Sequence, residues 1–148
     1  MRTTAAVTLA VIALGAASMS PAIGAPKKTI TKTYTATAPV PGPNNAAGSD
    51  YSVCPQSVPG SFQADEFKIP AAGTLQVEVG GYTGDWDALL MDSDKSEAAA
   101  SGAGGYAPVA GGPETIEMRF KKAQTVTIVA CNWAGGPTAT VKATFTYK

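Results

Sequence analysis

Alternation with a period of two governs this chain. Leu75, Val77 and Val79 alternate with Gln76 and Glu78, and Ile116, Met118 and Phe120 alternate with Glu117 and Arg119. Ala139, Val141, Ala143, Phe145 and Tyr147 alternate with Thr138, Thr140, Lys142, Thr144 and Thr146. Such patterns put one side-chain set on each face of an extended strand, the apolar set facing a core. No window after the first 25 residues carries helical spacing. Between the strands stand Gly, Pro, Asn and Asp clusters, each chemically suited to a turn. Short strands joined in this way predict an all-β fold, an antiparallel β-sandwich or jelly-roll-like domain of seven or eight strands.

The start of the chain reads differently. Arg2 is followed by an uncharged apolar run from Ala5 to Ala17, then by small residues to Ala25. A basic start, a short apolar middle and a small-residue end form a secretory signal peptide. A spanning helix would need about 20 apolar residues. Proline at position 26 disfavours cutting after Ala25, so cleavage is expected after Gly24 or Ala22. The expected division is a signal peptide over 1–24, an N-terminal strand and Pro/Gly-rich loop over 25–50, and a β-sandwich over 51–148. The product is expected to be secreted, with no membrane attachment after cleavage.

Within 25–50, Thr occupies every second position from Thr29 to Thr37, a strand with a hydroxyl face. Pro39 to Asn45 breaks regular structure. Whether this strand joins the main sheet or forms an extended tail is open at this level. Further strands are expected at Phe67–Ile69, at Asp85–Met91 with Trp86, Ala88 and Leu90 on one face, and at Ser96–Ser101. Ser101–Pro113 reads as a long Gly/Ala loop. The segment around Val126–Trp133 is apolar on both faces, which marks a central strand, and Asn132–Pro137 reads as the next turn.

Charge and composition exclude several functions. Acidic and basic residues balance at 11 each, which argues against nucleic acid as a partner. Histidine is absent, so His-dependent triads and His-ligated metals are ruled out. Cys54 and Cys131 lack Cys-x-x-Cys spacing, and in an oxidising compartment they are expected to form one disulfide.

From about Phe62 to Tyr147 the order of short elements resembles the bacterial pre-peptidase C-terminal domain. The matching places are Asp65-Glu66-Phe67, Ala72-Gly73, Leu75–Val79, Gly84-Asp85-Trp86-Asp87-Ala88-Leu89-Leu90, Asp92-Ser93-Asp94, Thr125–Val129 and Val141–Tyr147. Trp86 and Ala88 depart from the Leu and aromatic usual in the Asp-x-Asp strand, and the cysteines lie outside the pattern. The resemblance implies a β-sandwich with a binding or accessory role; some members bind calcium, collagen or polysaccharide.

Three sets of residues can carry chemistry. Asp85, Asp87, Asp92 and Asp94 offer oxygens for calcium, or they serve as turn residues bonding local N–H groups. Asp85 and Asp87, about 6.6 Å apart at Cα by strand rise, also have a spacing compatible with a glycosidase pair, though a sandwich this small seldom has a sugar-sized cleft. Tyr82, Tyr106 and Trp133 stand in Gly-rich segments, either as stacking platforms for a sugar or peptide or as caps on the sandwich ends. The expectation is a non-catalytic binding or accessory domain for an extracellular polysaccharide or protein. The alternative is a partner or inhibitor of a secreted peptidase.

Overall fold

The computed structural model describes residues 26–42, 54, 58–101 and 112–148. The expected signal peptide over 1–24, Tyr106 and most of the Ser101–Pro113 segment lie outside the described residues. Eight strands and no helix occur among those that are described. They are β1 (Lys28–Thr37), β2 (Phe62–Ile69), β3 (Gly73–Gly80), β4 (Gly84–Met91), β5 (Glu97–Ala100), β6 (Glu114–Phe120), β7 (Gln124–Gly135) and β8 (Thr138–Tyr147).

The strands form two antiparallel sheets, β1-β8-β3-β6 (sheet A) and β2-β7-β4-β5 (sheet B). The threonine strand is therefore part of the sandwich. It pairs with β8 without a register break from Lys28↔Tyr147 to Thr37↔Thr138. β7 lies between β2 and β4, as its two apolar faces predict. The main core fills the space between the sheets with Leu75, Val77, Val79, Trp86, Leu90, Ile128, Val141 and Phe145.

A second cluster lies on the other face of sheet B, where Leu89 and Val129 are covered together with Cys54 and Cys131. The expected bridge joins those cysteines, with Cα atoms 5.5 Å apart. Phe62, Met91 and Ala100 pack at its margin. The bridge thus fixes a point of the chain between β1 and β2 over an apolar surface that a two-layer sandwich would leave open.

Two expectations need correction. β2 begins at Phe62 instead of Phe67, because its first half turns polar side chains to good use at the open side of the sandwich. Gln63 accepts a hydrogen bond from the Thr37 N–H (2.8 Å), and Asp65 pairs with Lys32 (3.0 Å). β7 continues to Gly135, so Asn132–Gly135 is strand and the turn is confined to Gly136-Pro137. Gly84 and Gly135 make this extension possible: both have positive φ, and a Cβ on either would collide with the opposite backbone. Asn132 is fully buried and secures the same end, its amide donating to Ala38 O (2.8 Å) and Gly136 O (3.2 Å).

Candidate functional site

The acidic residues of β4 divide into two groups. Asp92 follows the end of β4, seven positions from Asp85, roughly 23 Å along a strand. Calcium gathers its oxygens at about 2.3–2.6 Å, so the four aspartates do not fit one ion. Among the described residues no three of His, Cys, Asp and Glu are disposed to hold a metal. Asp92 has a local task instead: its Oδ1 accepts from the N–H groups of Asp94 (2.9 Å) and Ser96 (3.2 Å) and from the Ser96 hydroxyl (3.0 Å). These bonds, led by that from Ser96, hold its carboxyl below the usual range.

Asp85 and Asp87 belong to a different environment at the opposite end of β4. The register between β4 and β7 shifts between Asp85 and Trp86, leaving Trp133 as the extra residue of a bulge. Trp133 is thus half-buried in a strand and not in a turn, and its indole N–H bonds the Asp87 carboxylate. Glu114 joins this group from β6. It is only 2% exposed, and its Oε1 has no hydrogen-bond partner among the described residues. Sequence reading missed Glu114, although it shares the parity of Ile116, Met118 and Phe120 and so faces inward. Burial raises its pKa, and the Asp85 charge adds to that, while a bond from Ser101 opposes it.

Tyr82 acts as a pin. Its hydroxyl donates to Gly112 O (2.6 Å), and its ring stacks on Trp86 at 6.3 Å. Burial first, then the nearby acids, push its pKa up to about 12. Trp86 is fully buried, with Nε1 donating to Gly136 O (3.2 Å). Trp86 lies in the core together with Ala88 and Leu90, the residues whose face it shares in the sequence pattern. Of the three loop aromatics, Tyr82 and Trp133 are half-buried with polar partners, and Tyr106 lies outside the described residues.

Asp87 is the group to titrate. Desolvation, then Glu114 and Asp85, raise its pKa from 3.8 to about 7. A carboxyl with a raised folded pKa stabilises the fold fully below its unfolded pKa and loses that contribution as pH rises through the folded value. Stability should thus fall between about pH 4 and pH 7 and level off above. The shift sets a ceiling of about 4 kcal/mol, which hydration of the exposed part of the group reduces to ~2 kcal/mol, or roughly 6–10 °C in Tm. Asp87→Asn should raise Tm by that amount at pH 8 and flatten most of the slope. An unchanged slope in Asp87→Asn would assign the pH dependence to Glu114.

The outer face of sheet A has another character. Thr29, Thr31, Thr33, Thr35 and Thr37 of β1 lie beside Thr146, Thr144, Lys142, Thr140 and Thr138 of β8. Toward β6 the face sinks into a concavity of about 350 Å³ lined by Gln76, Glu78, Thr115, Glu117, Lys142 and Thr144. Gln76 Nε2 donates to Glu117 Oε2 across the strands (2.8 Å). This surface presents hydroxyls, an amide, two carboxylates and an ammonium, with Val77 and Ile116 also among its lining residues.

Among solved structures, the chain is similar to the pre-peptidase C-terminal domain of collagenase from Bacillus anthracis. The identity is 10%, the TM-score 0.47, and the alignment covers 77% of this chain and 87% of that one. No family model matches the sequence, and no curated protein matches it.

Proposed function

We propose that this protein is a secreted, non-catalytic binding module for a hydroxyl-rich extracellular polymer, with neutral polysaccharide as the favoured class. The observation that carries the reading is the polar concavity on sheet A. Its carboxylates accept hydrogen bonds from vicinal sugar hydroxyls, while Lys142, Gln76 and the threonines donate to ring and glycosidic oxygens. A sheet face of this kind is open along the strands and suits a chain longer than a monosaccharide. The disulfide and the signal-like N-terminal sequence support placement outside the cytoplasm. Tyr82 and Trp133, with their partners already in the fold, fit structural roles better than an open stacking platform.

Retention on insoluble polysaccharides such as chitin and cellulose tests the reading. Glu117→Ala and Lys142→Ala should each weaken retention about 5-fold, as expected for loss of one exposed charge-assisted hydrogen bond. Trp133→Ala should leave retention unchanged. Loss of retention in Trp133→Ala alone would move the site to the Asp87 end. Capture of a secreted peptidase with no polysaccharide retention would favour the partner or inhibitor role. Calcium, within this reading, belongs to the Asp85–Asp87 pair and should raise Tm in the wild type but not in Asp87→Asn. An unchanged wild-type Tm in millimolar calcium removes it.

A further inference from the structure

We infer that the polymer-binding face has a second subsite at the end of β3, where an uncharged sugar ring lies on Gly80 between Tyr82 and Pro113; this rests on the reading of sheet A given above. A separate hollow of about 250 Å³ is found there, lined by Glu78, Gly80, Gly81, Tyr82, Gly112 and Pro113. Glu78 also lines the larger concavity, so the two hollows adjoin through one carboxylate. Along β3 the step from Gln76 to Gly80 is about 13 Å.

Gly80 is a residue that the fold itself does not require. Glycine inside a strand weakens it, and often marks a place where a ligand comes close. Gly81, Gly84 and Gly135 have positive φ, which accounts for them, but Gly80 does not. Packing does not demand it either. Among the described residues, a Cβ added at Gly80 would meet only the Pro113 Cβ, at an ordinary 3.5 Å. By register Gly80 stands beside Thr140, on the outer face with Gln76 and Glu78. A side chain at this position would enter the hollow, and its absence keeps the hollow open.

The walls are in place before any ligand arrives. The Tyr82 ring rests on Trp86, and its hydroxyl donates to Gly112 O (2.6 Å), which ties one wall to the other. Fixed walls reduce the ordering cost of binding. With one side on Trp86 and its hydroxyl engaged, Tyr82 serves as a wall and not as an open platform. Glu78 at the shared rim is the only charged residue of the lining. The hollow therefore suits an uncharged ring with C–H groups against Tyr82 and Pro113 and a hydroxyl donating to Glu78.

Calorimetric titration of the full chain with cello- and chito-oligosaccharides, from disaccharide to hexasaccharide, tests the second subsite. In the series that binds, wild-type affinity should rise about 10-fold from the short to the long oligomers. Gly80→Val, which fills the hollow, should abolish that rise and leave the affinity for short oligomers unchanged, whereas Glu117→Ala weakens binding at every length. Gly80→Ala should cut the rise to roughly threefold, and provides the reading if Gly80→Val fails to fold. Its melting temperature should hold or increase, because alanine narrows the unfolded ensemble at a backbone position it can adopt. Equal wild-type affinity for short and long oligomers, a length dependence intact in both Gly80 variants, or a marked loss of stability in Gly80→Ala overturns the second subsite and leaves the reading of sheet A standing. No binding of any oligomer, together with no retention on insoluble polysaccharide, overturns that reading and the subsite with it.

Discussion

Removing the Cys54–Cys131 bridge, by reduction or as the Cys54→Ser, Cys131→Ser double variant, is expected to lower Tm by roughly 15–20 °C. The cysteines are 77 residues apart, and closing a loop of that size in the unfolded chain corresponds to about 4.5 kcal/mol by chain entropy. The folded state adds to this. Leu89 and Val129 are 2% and 1% exposed although they face away from the main core, and Cys54 packs over them. Releasing Cys54 lets water reach that surface, so reduced protein should also bind an apolar dye that the oxidised protein excludes. Thermal melts with and without a dithiol measure the effect. A decrease of only a few degrees would mean that packing holds the strap without the bond.

Trp86→Ala should have the next largest effect, with a loss of about 3–5 kcal/mol. Trp86 is fully buried, supports the Tyr82 ring and donates to Gly136 O across the sheet end. Deleting it creates a cavity, leaves a carbonyl short of one donor and removes the surface on which Tyr82 rests. Trp86→Phe separates these contributions, because it keeps an aromatic ring and loses the N–H, and it should cost roughly 1–2 kcal/mol. Chemical denaturation provides both values. A Trp86→Phe loss equal to that of Trp86→Ala would identify the hydrogen bond, and not the packing, as the dominant contribution.

The sequence was most legible where one face of a strand is buried and the other wet. Leu75–Val79 and Ala139–Tyr147 follow this rule, and their strands extend only slightly beyond the patterned residues. β7 was recognisable as central because Val126, Ile128 and Val129 demand cover on both sides. The rule failed where inward positions are polar for a reason supplied by a distant strand. Gln63 and Asp65 make sense only once Thr37 and Lys32 are beside them. Glu114 belongs to no motif and stands directly after Gly-Gly-Pro. Only its parity with Ile116 and Phe120 points it inward. Trp133 reads both as the end of the Val126–Trp133 strand and as part of the next turn, because Trp133-Ala134-Gly135-Gly136-Pro137 has the composition of a turn, whereas a bulge and the Gly84–Gly135 close approach carry the strand through it. The aspartates show the same limit, since nothing in their spacing tells that Asp92 caps its own turn while Asp87 meets a glutamate from another sheet.

The union of the first strand with the last also sets a timetable. β1 has no ladder of its own until Thr138–Tyr147 is at hand, and β3 likewise relies on β8 for one of its two neighbours. Sheet A therefore cannot zip up from one end as the chain lengthens; it waits for its final strand and then assembles around it. Contacts so remote in sequence make for slow folding, because the loop must close before any pairing rewards it.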